Sequence, residues 1–194
     1  MSMHSLMTEG GLQLTLEAGQ YLPTQLCWRV TQGYLRATGK TDMAETFTLG
    51  IWGPGEIVIP TLLSCTKPLE LRALAMARVQ EHHPDQEDLN GCFENQVQQL
   101  SMLLQLSHIR PVDARLLILL IWLSDRFGFD TLQGRCLPLE AMNLTHRQLA
   151  EMASVSRVTV TKSLGNFRQQ GLLQRDGELE VVSRDSLNLI KGLR

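Results

Sequence analysis

Along the first 80 residues the hydrophobic positions come in short bursts. Leu12, Leu14 and Leu16 alternate with polar neighbours, the period-two pattern of a half-buried strand. Short β-type runs follow at residues 27–31, 34–38, 46–51, 57–59 and 71–79. Gly19, Pro23, Gly33, Gly39, Gly50, Gly53, Pro54 and Gly55 punctuate them as turn residues. Many short strands with glycine turns predict a sandwich or small barrel.

The period changes near residue 90. Val97, Leu100, Leu103, Leu104 and Leu106 recur at helical spacing, with glutamines between them. Pro111 should end or hinge that helix. A second helix is predicted over 113–127. Its stretch from Leu116 to Leu123 is apolar all round, so it must be buried. Gly128 and Gly134 mark a loop after it. The helix over 90–110 has two readings. It packs on its own barrel, or its narrow stripe of Val97, Leu100, Leu103 and Leu104 meets the same helix of a second chain. A narrow stripe between polar faces suits a coiled-coil-like seam.

Residues 144–182 carry the most specific pattern. Thr145 and Gln148 form a T-x-x-Q capping box that starts a helix at His146. Leu149, Met152 and Ala153 supply its buried side. Ser154, Val155 and Ser156 make a short turn, and Ser156 is a suitable N-cap for a second helix. Val160, Leu164 and Phe167 face inward at i, i+4 and i+7, and Gly171 ends the helix. Asp176-Gly177 then marks a hairpin turn. Helix, turn, helix and hairpin make a winged helix-turn-helix. With its apolar side inward, the second helix points Arg157, Val158, Thr161 and Lys162 outward near its N-terminus. Arginine can donate twice to guanine O6 and N7, and valine can pack on a thymine methyl. Thr145, Arg147, Ser156 and Thr159 can donate to phosphates, as can helix N-terminal amides.

Charge sharpens this picture. The chain of 194 residues carries a net −2, but residues 1–111 hold −4 and residues 112–194 hold +2. Between Thr145 and Arg175 five basic residues face one acid, Glu151, as expected of a local anion-binding face. Nothing approaches the roughly 20 apolar residues of a membrane span, and residues 1–11 lack the pattern of a signal peptide, so a cytoplasmic protein is expected. Cys27, Cys65, Cys92 and Cys136 lie far apart without a CxxC pair, so reduced thiols and no metal site are expected. A metal-dependent barrel enzyme would need two close histidines on its strands, and residues 5–81 contain none.

The stretch Leu144–Val182 resembles the helix-turn-helix of the CRP/FNR superfamily of bacterial regulators. Arg157-Val158-Thr159-Val160-Thr161-Lys162-Ser163-Leu164-Gly165 is most similar to the cyanobacterial global nitrogen regulator group. The likeness extends to Leu49–Glu56, similar to the turn before an effector pocket, and to Val112–Leu123, similar to the helix after the dimer helix. The resemblance implies an α+β chain: a cyclic-nucleotide-binding-type β jelly roll (1–89), a long dimerisation helix (90–111) and a winged helix-turn-helix (112–194). It implies a homodimer on double-stranded DNA, with Arg157 reading a guanine and Lys162 touching phosphate or base. Val158 replaces the glutamate of the cAMP-binding member, which favours GTA-like arms in a palindrome. The loop around 134–141 is the candidate contact for RNA polymerase.

The resemblance also implies an effector pocket, with Glu56 and Arg72 as its candidate residues. Cyclic-nucleotide binders of the superfamily carry Gly-Glu-Leu for the ribose and Arg-Ser-Ala or Arg-Thr-Ala for the phosphate. Here Ile59-Pro60 occupies the Gly-Glu position and Arg72 is followed by Ala73 and Leu74. The expectation is therefore no cAMP dependence, no predicted cofactor and an effector of unknown identity. Arg72 reads alternatively as exposed or ion-paired. A haem-sensing member would need an axial histidine, for which His82 and His83 are the candidates. A protein-interaction adaptor with a degenerate helix-turn-helix is the alternative of a different class.

Overall fold

A computed structural model describes residues 4–8, 11–63, 68–176 and 179–191. The chain forms two compact units, residues 1–103 and 104–194. The first contains β1 (His4–Thr8), β2 (Gly11–Leu16), β3 (Trp28–Gln32), β4 (Leu35–Lys40), β5 (Thr46–Trp52) and β6 (Ile57–Val58). A 3-10 turn (Pro60–Leu63), β7 (Glu70–Ala73), β8 (Ala77–Glu81) and most of α1 (Gln86–His108) complete it. The strands pair antiparallel into two sheets, β1-β2-β8-β3-β6 and β5-β4-β7. Two packed sheets fit the sandwich or small barrel that the strand pattern predicts and the β roll that the resemblance implies. Alternating residues such as Leu14, Leu16, Trp28, Val30, Leu35, Ala37, Leu71 and Val79 fill its interior. Buried Trp28 satisfies its indole N–H by donating to the Pro23 carbonyl at 2.8 Å.

The run at 71–79 is two strands rather than one. The chain turns at 74–76, so that β7 joins β4 while β8 joins β2 and β3 in the other sheet. Both halves are apolar because both face the same core, which hides the corner from a hydrophobicity reading. Gly33 packs against this corner: a Cβ there would lie 2.3 Å from the Met76 carbonyl oxygen.

α1 begins at Gln86, earlier than the apolar stripe indicates. Asp85 caps it, its carboxylate accepting from the Asp88 amide at 2.8 Å. The first turn is polar and carries no hydrophobic period. Further along, Gln96 and Gln99 are buried, and they hydrogen-bond to β5, an edge strand of its sheet. Gln96 Nε2 donates to the Leu49 carbonyl at 3.0 Å, and Gln99 Oε1 accepts from the Ile51 amide at 2.8 Å. These two side chains satisfy edge groups that a further strand would otherwise pair. Gly50, between them, leaves the room: a Cβ would sit 3.2 Å from Gln99 Oε1 and 2.7 Å from the Trp52 ring.

The second unit holds the last turn of α1, α2 (Val112–Phe127), β9 (Gly134–Leu137), α3 (His146–Ala153), α4 (Arg157–Gln169), β10 (Leu173–Asp176), β11 (Leu179–Ser183) and α5 (Arg184–Lys191). α2 is its central element, with Leu116, Leu117, Leu119, Leu120, Ile121 and Leu123 buried, each stabilising by roughly 1.5–3 kcal/mol. The sheet order is β10-β11-β9. β9 lies where a loop was expected; a four-residue strand is too short to show a period. Its Cys136 and Leu137 are buried.

Gln99→Leu keeps the volume of the side chain but leaves the buried Ile51 amide without its acceptor. It should destabilise the first unit by about 1–3 kcal/mol, read as a lower urea midpoint at unchanged slope. An unchanged midpoint would remove the glutamine pair as the anchor of α1.

Candidate nucleic-acid interface

The two helices of the motif are started by side chains. Thr145 accepts from the Gln148 amide at 3.2 Å, while Gln148 Oε1 accepts from the Thr145 amide at 2.9 Å, a complete capping box. α3 ends at Ser154, whose φ of 52° places it in the left-handed region. Ser156 then caps α4, accepting from the Thr159 amide at 3.1 Å. Leu172 N–H returns to the Phe167 carbonyl at 2.9 Å around Gly171, with φ of 69°, and closes the far end.

Val160, Leu164 and Phe167 are buried, and Ser163 with them. The opposite side of α4 is therefore outward. Arg157, Val158, Thr161 and Lys162 are exposed, and Ser156 and Thr159 stand at the same end. Among the described residues no side chain holds Arg157 or Lys162 in a hydrogen bond or ion pair. Thr161 Oγ1 donates to the Arg157 carbonyl at 3.1 Å and lies 2.9 Å from His146 Nδ1. His146 thus touches the outward side of α4, a contact that spacing alone does not reveal because the partner lies on another helix. Thr145, the cap before α3, and Arg147 on it are exposed, and Arg147 pairs with Glu151 at 3.2 Å.

The hairpin of β10 and β11 forms the wing. Asp176 pairs with Leu179 across it; of the expected Asp176-Gly177 turn, Gly177 lies outside the described residues. Arg168 on α4 and Glu180 on β11 form an ion pair at 2.6 Å that ties wing to helix.

On α1, Val97 (61% exposed), Leu100 (41%) and Leu104 (62%) stand outward, while Leu103 is half-buried and Leu106 buried. Phe93, 52% exposed, belongs to the same stripe. Positions 93, 97, 100 and 104 repeat by four, three and four, the heptad seam spacing. Gln96 and Gln99 occupy a different side of the helix. Phe93 precedes the leucine run, which is why the run did not mark it.

Glu56 and Arg72 are not brought together. Glu56 precedes β6 and accepts from the Gly53 amide at 2.7 Å. It lines an open cleft of about 340 Å³ with Arg29, Asp85, Asp88, Cys92 and Asn95. There the His82 ring, 2.6 Å from Asp88, holds that carboxyl below its ordinary range, with Arg29 nearby. Arg72 lies in the other sheet, 4.1 Å over the Tyr21 ring and paired with Glu70 at 3.0 Å. Burial pushes the Glu70 carboxyl up, but Arg72 and Lys40 outweigh it and leave the group below its usual value. No group of metal ligands occurs among the described residues. Cys27, Cys92 and Cys136 are free, and burial raises all three thiols; Cys65 lies outside the described residues.

A Crp-like helix-turn-helix domain matches residues 114–190. The regulatory protein CysR of Synechococcus elongatus is 32% identical over 155 residues, covering 80% of this chain and 75% of that protein. The CRP-like cAMP-activated global transcriptional regulator of Mycobacterium tuberculosis is 27% identical over 169 residues, covering 84% and 71%. FixK2 of Bradyrhizobium japonicum shares the fold with a TM-score of 0.70 at 14% identity, over 92% of this chain and 95% of that one. So does a CRP-family transcriptional regulator of Thermus thermophilus, with a TM-score of 0.66 at 20% identity over 91% and 94%. The chain belongs to the CRP/FNR family of DNA-binding transcription regulators. It is not an enzyme. No helix among the described residues is long and apolar enough to cross a membrane.

Ser156→Ala removes the α4 cap and should cost about 1 kcal/mol of stability, measured by denaturant unfolding of the full chain. Stability equal to wild type would show that packing alone starts the helix.

Proposed function

We propose that the chain acts as a homodimer that reads a palindrome with GTA-like arms and does so without cyclic AMP. The observation that carries this reading is the free Arg157 at the N-terminal end of a capped α4. A recognition helix enters the major groove with that end. Arg157 takes the guanine through O6 and N7, Val158 packs on the following thymine methyl, and Lys162 with Thr161 completes the contact. Thr145, Arg147, Ser156 and Thr159 hold the phosphates on either side.

Two recognition helices are needed for a palindrome. The exposed stripe of Phe93, Val97, Leu100 and Leu104 supplies the surface for a second copy. A monomer would leave those four apolar side chains in water, whereas a seam buries them in register.

The reading without cyclic AMP rests on the first unit. Its interior is filled by its own side chains, including Trp28, Leu35 and Trp52. Arg72, the candidate that the resemblance names for an effector phosphate, already has Glu70 and Tyr21 as partners. The segment Ile57–Thr61 offers no carboxylate for a ribose. The relative from Mycobacterium tuberculosis is cAMP-activated, and these positions are where this chain departs from a nucleotide site.

The test is selection of bound sequences from random duplexes, using full-length protein and no added ligand. The expected result is an enriched palindrome with GTA-like arms. Enrichment only after cyclic AMP is added would contradict the effector reading; no enrichment in either case would contradict DNA reading by α4. On the enriched duplex, Arg157→Ala should weaken binding by about 1–3 kcal/mol and relax preference at one base pair per arm. Equal losses on enriched and random duplexes would reduce Arg157 to a phosphate contact.

A further inference from the structure

Two charged residues in the first turn of α2 bond to the helix-turn-helix, and DNA contact gives neither of them a role. Arg115 Nε donates to the Ile109 carbonyl at 2.9 Å. Its Nη1 donates to the Ala153 carbonyl at 3.0 Å and the Ser154 carbonyl at 3.3 Å. Ile109 is the residue after α1, Ala153 is the last of α3, and Ser154 is its left-handed cap. Carbonyls at a helix C-terminus lack partners within the helix and carry the negative end of its dipole. One guanidinium therefore serves the exits of two helices.

The position of this arginine is informative. It lies in the first turn of α2, where the helix dipole disfavours a cation. α2 itself gives no reason for a positive charge there; the three carbonyls do. Asp113, also in the first turn, accepts a hydrogen bond from the Ser163 hydroxyl of α4. Ser163 is buried on the same side as Val160, Leu164 and Phe167. The start of α2 thus holds the end of α3 through Arg115 and the inner side of α4 through Asp113. The same arginine holds the backbone where α1 ends. All these residues belong to the second unit.

We propose that Arg115 and Asp113 are positioning residues for DNA reading, which seat α4 by holding the turn before it and its inner side from the first turn of α2. The cap at Ser156 and the base-reading Arg157 follow directly after that turn. The inference rests on α4 being the DNA-reading helix.

The test uses the full chain and the duplex that wild type enriches from random sequences. Arg115→Gln keeps a donor but loses the charge and the fork. It should weaken binding to the enriched duplex by about tenfold or more, since hydrogen bonds from a charged group are lost. Binding to random duplexes, set by phosphate contacts that the variant retains, should change by less than about twofold. Arg115→Lys keeps the charge but cannot bridge as a fork, so it should recover part of the loss. Ser163→Ala, which removes one oxygen from α4, should show the same selective weakening in a smaller degree. Thermal melting of each variant is read alongside. Equal loss on both duplexes with a lowered melting temperature would reduce the pair to a purely structural role and overturn the proposal. So would unchanged affinity of Arg115→Gln for a duplex that wild type enriches. If wild type enriches no duplex, the DNA reading itself fails and the inference falls with it.

Discussion

The burial of Val160, Leu164 and Phe167 decides what this protein can present to DNA. These three side chains fix the rotation of α4 about its own axis. A helix has one outward side once its inward side is chosen, so Arg157, Val158, Thr161 and Lys162 are outward because those three are inward. The caps at Ser156 and Gly171 fix where the helix starts and stops, and the pair of Arg168 with Glu180 fixes the wing beside it. Base reading needs a guanidinium placed to within fractions of an ångström. Packing supplies the rotation, and the hydrogen bonds from α2 to the end of α3 and to Ser163 are proposed to supply the seating.

The same economy governs α1, which faces two directions. Gln96 and Gln99 bond to the edge of β5, while Phe93, Val97, Leu100 and Leu104 remain exposed on another side. An edge strand left bare is open to unwanted pairing. Covering it with polar side chains rather than apolar ones anchors the helix by direction as well as by burial. That anchor determines which apolar residues of α1 are left exposed.

Much of the second unit was legible because its signals are local. The capping box of Thr145 and Gln148, the cap at Ser156 and the i, i+4, i+7 spacing of the α4 core each lie within a few residues. All three occur in the structure as the spacing predicts. The family likeness rests on that same stretch. What was not legible depends on partners far along the chain. The 71–79 run gives no sign of its corner because both strands face one core. The first turn of α1 is polar, and β9 is too short for a period. Gln96 and Gln99 read as spacers between leucines, although they are buried and bonded to β5. His146 and Arg115 meet their partners on other helices. Hydrogen-bonded packing leaves no periodic trace in a sequence, and the positioning groups of this protein are of that kind.

A homodimer of the proposed kind reads two arms at once through a pair of α4 helices. The most direct measurement is the affinity of the full chain for an enriched palindrome against the same duplex with one arm scrambled, at fixed salt. Two helices joined by one seam should bind the intact site far more tightly, because the second arm is engaged at a high effective concentration. The complex should contain two chains per duplex. Equal affinity for one arm and two, with one chain per duplex, would contradict the account.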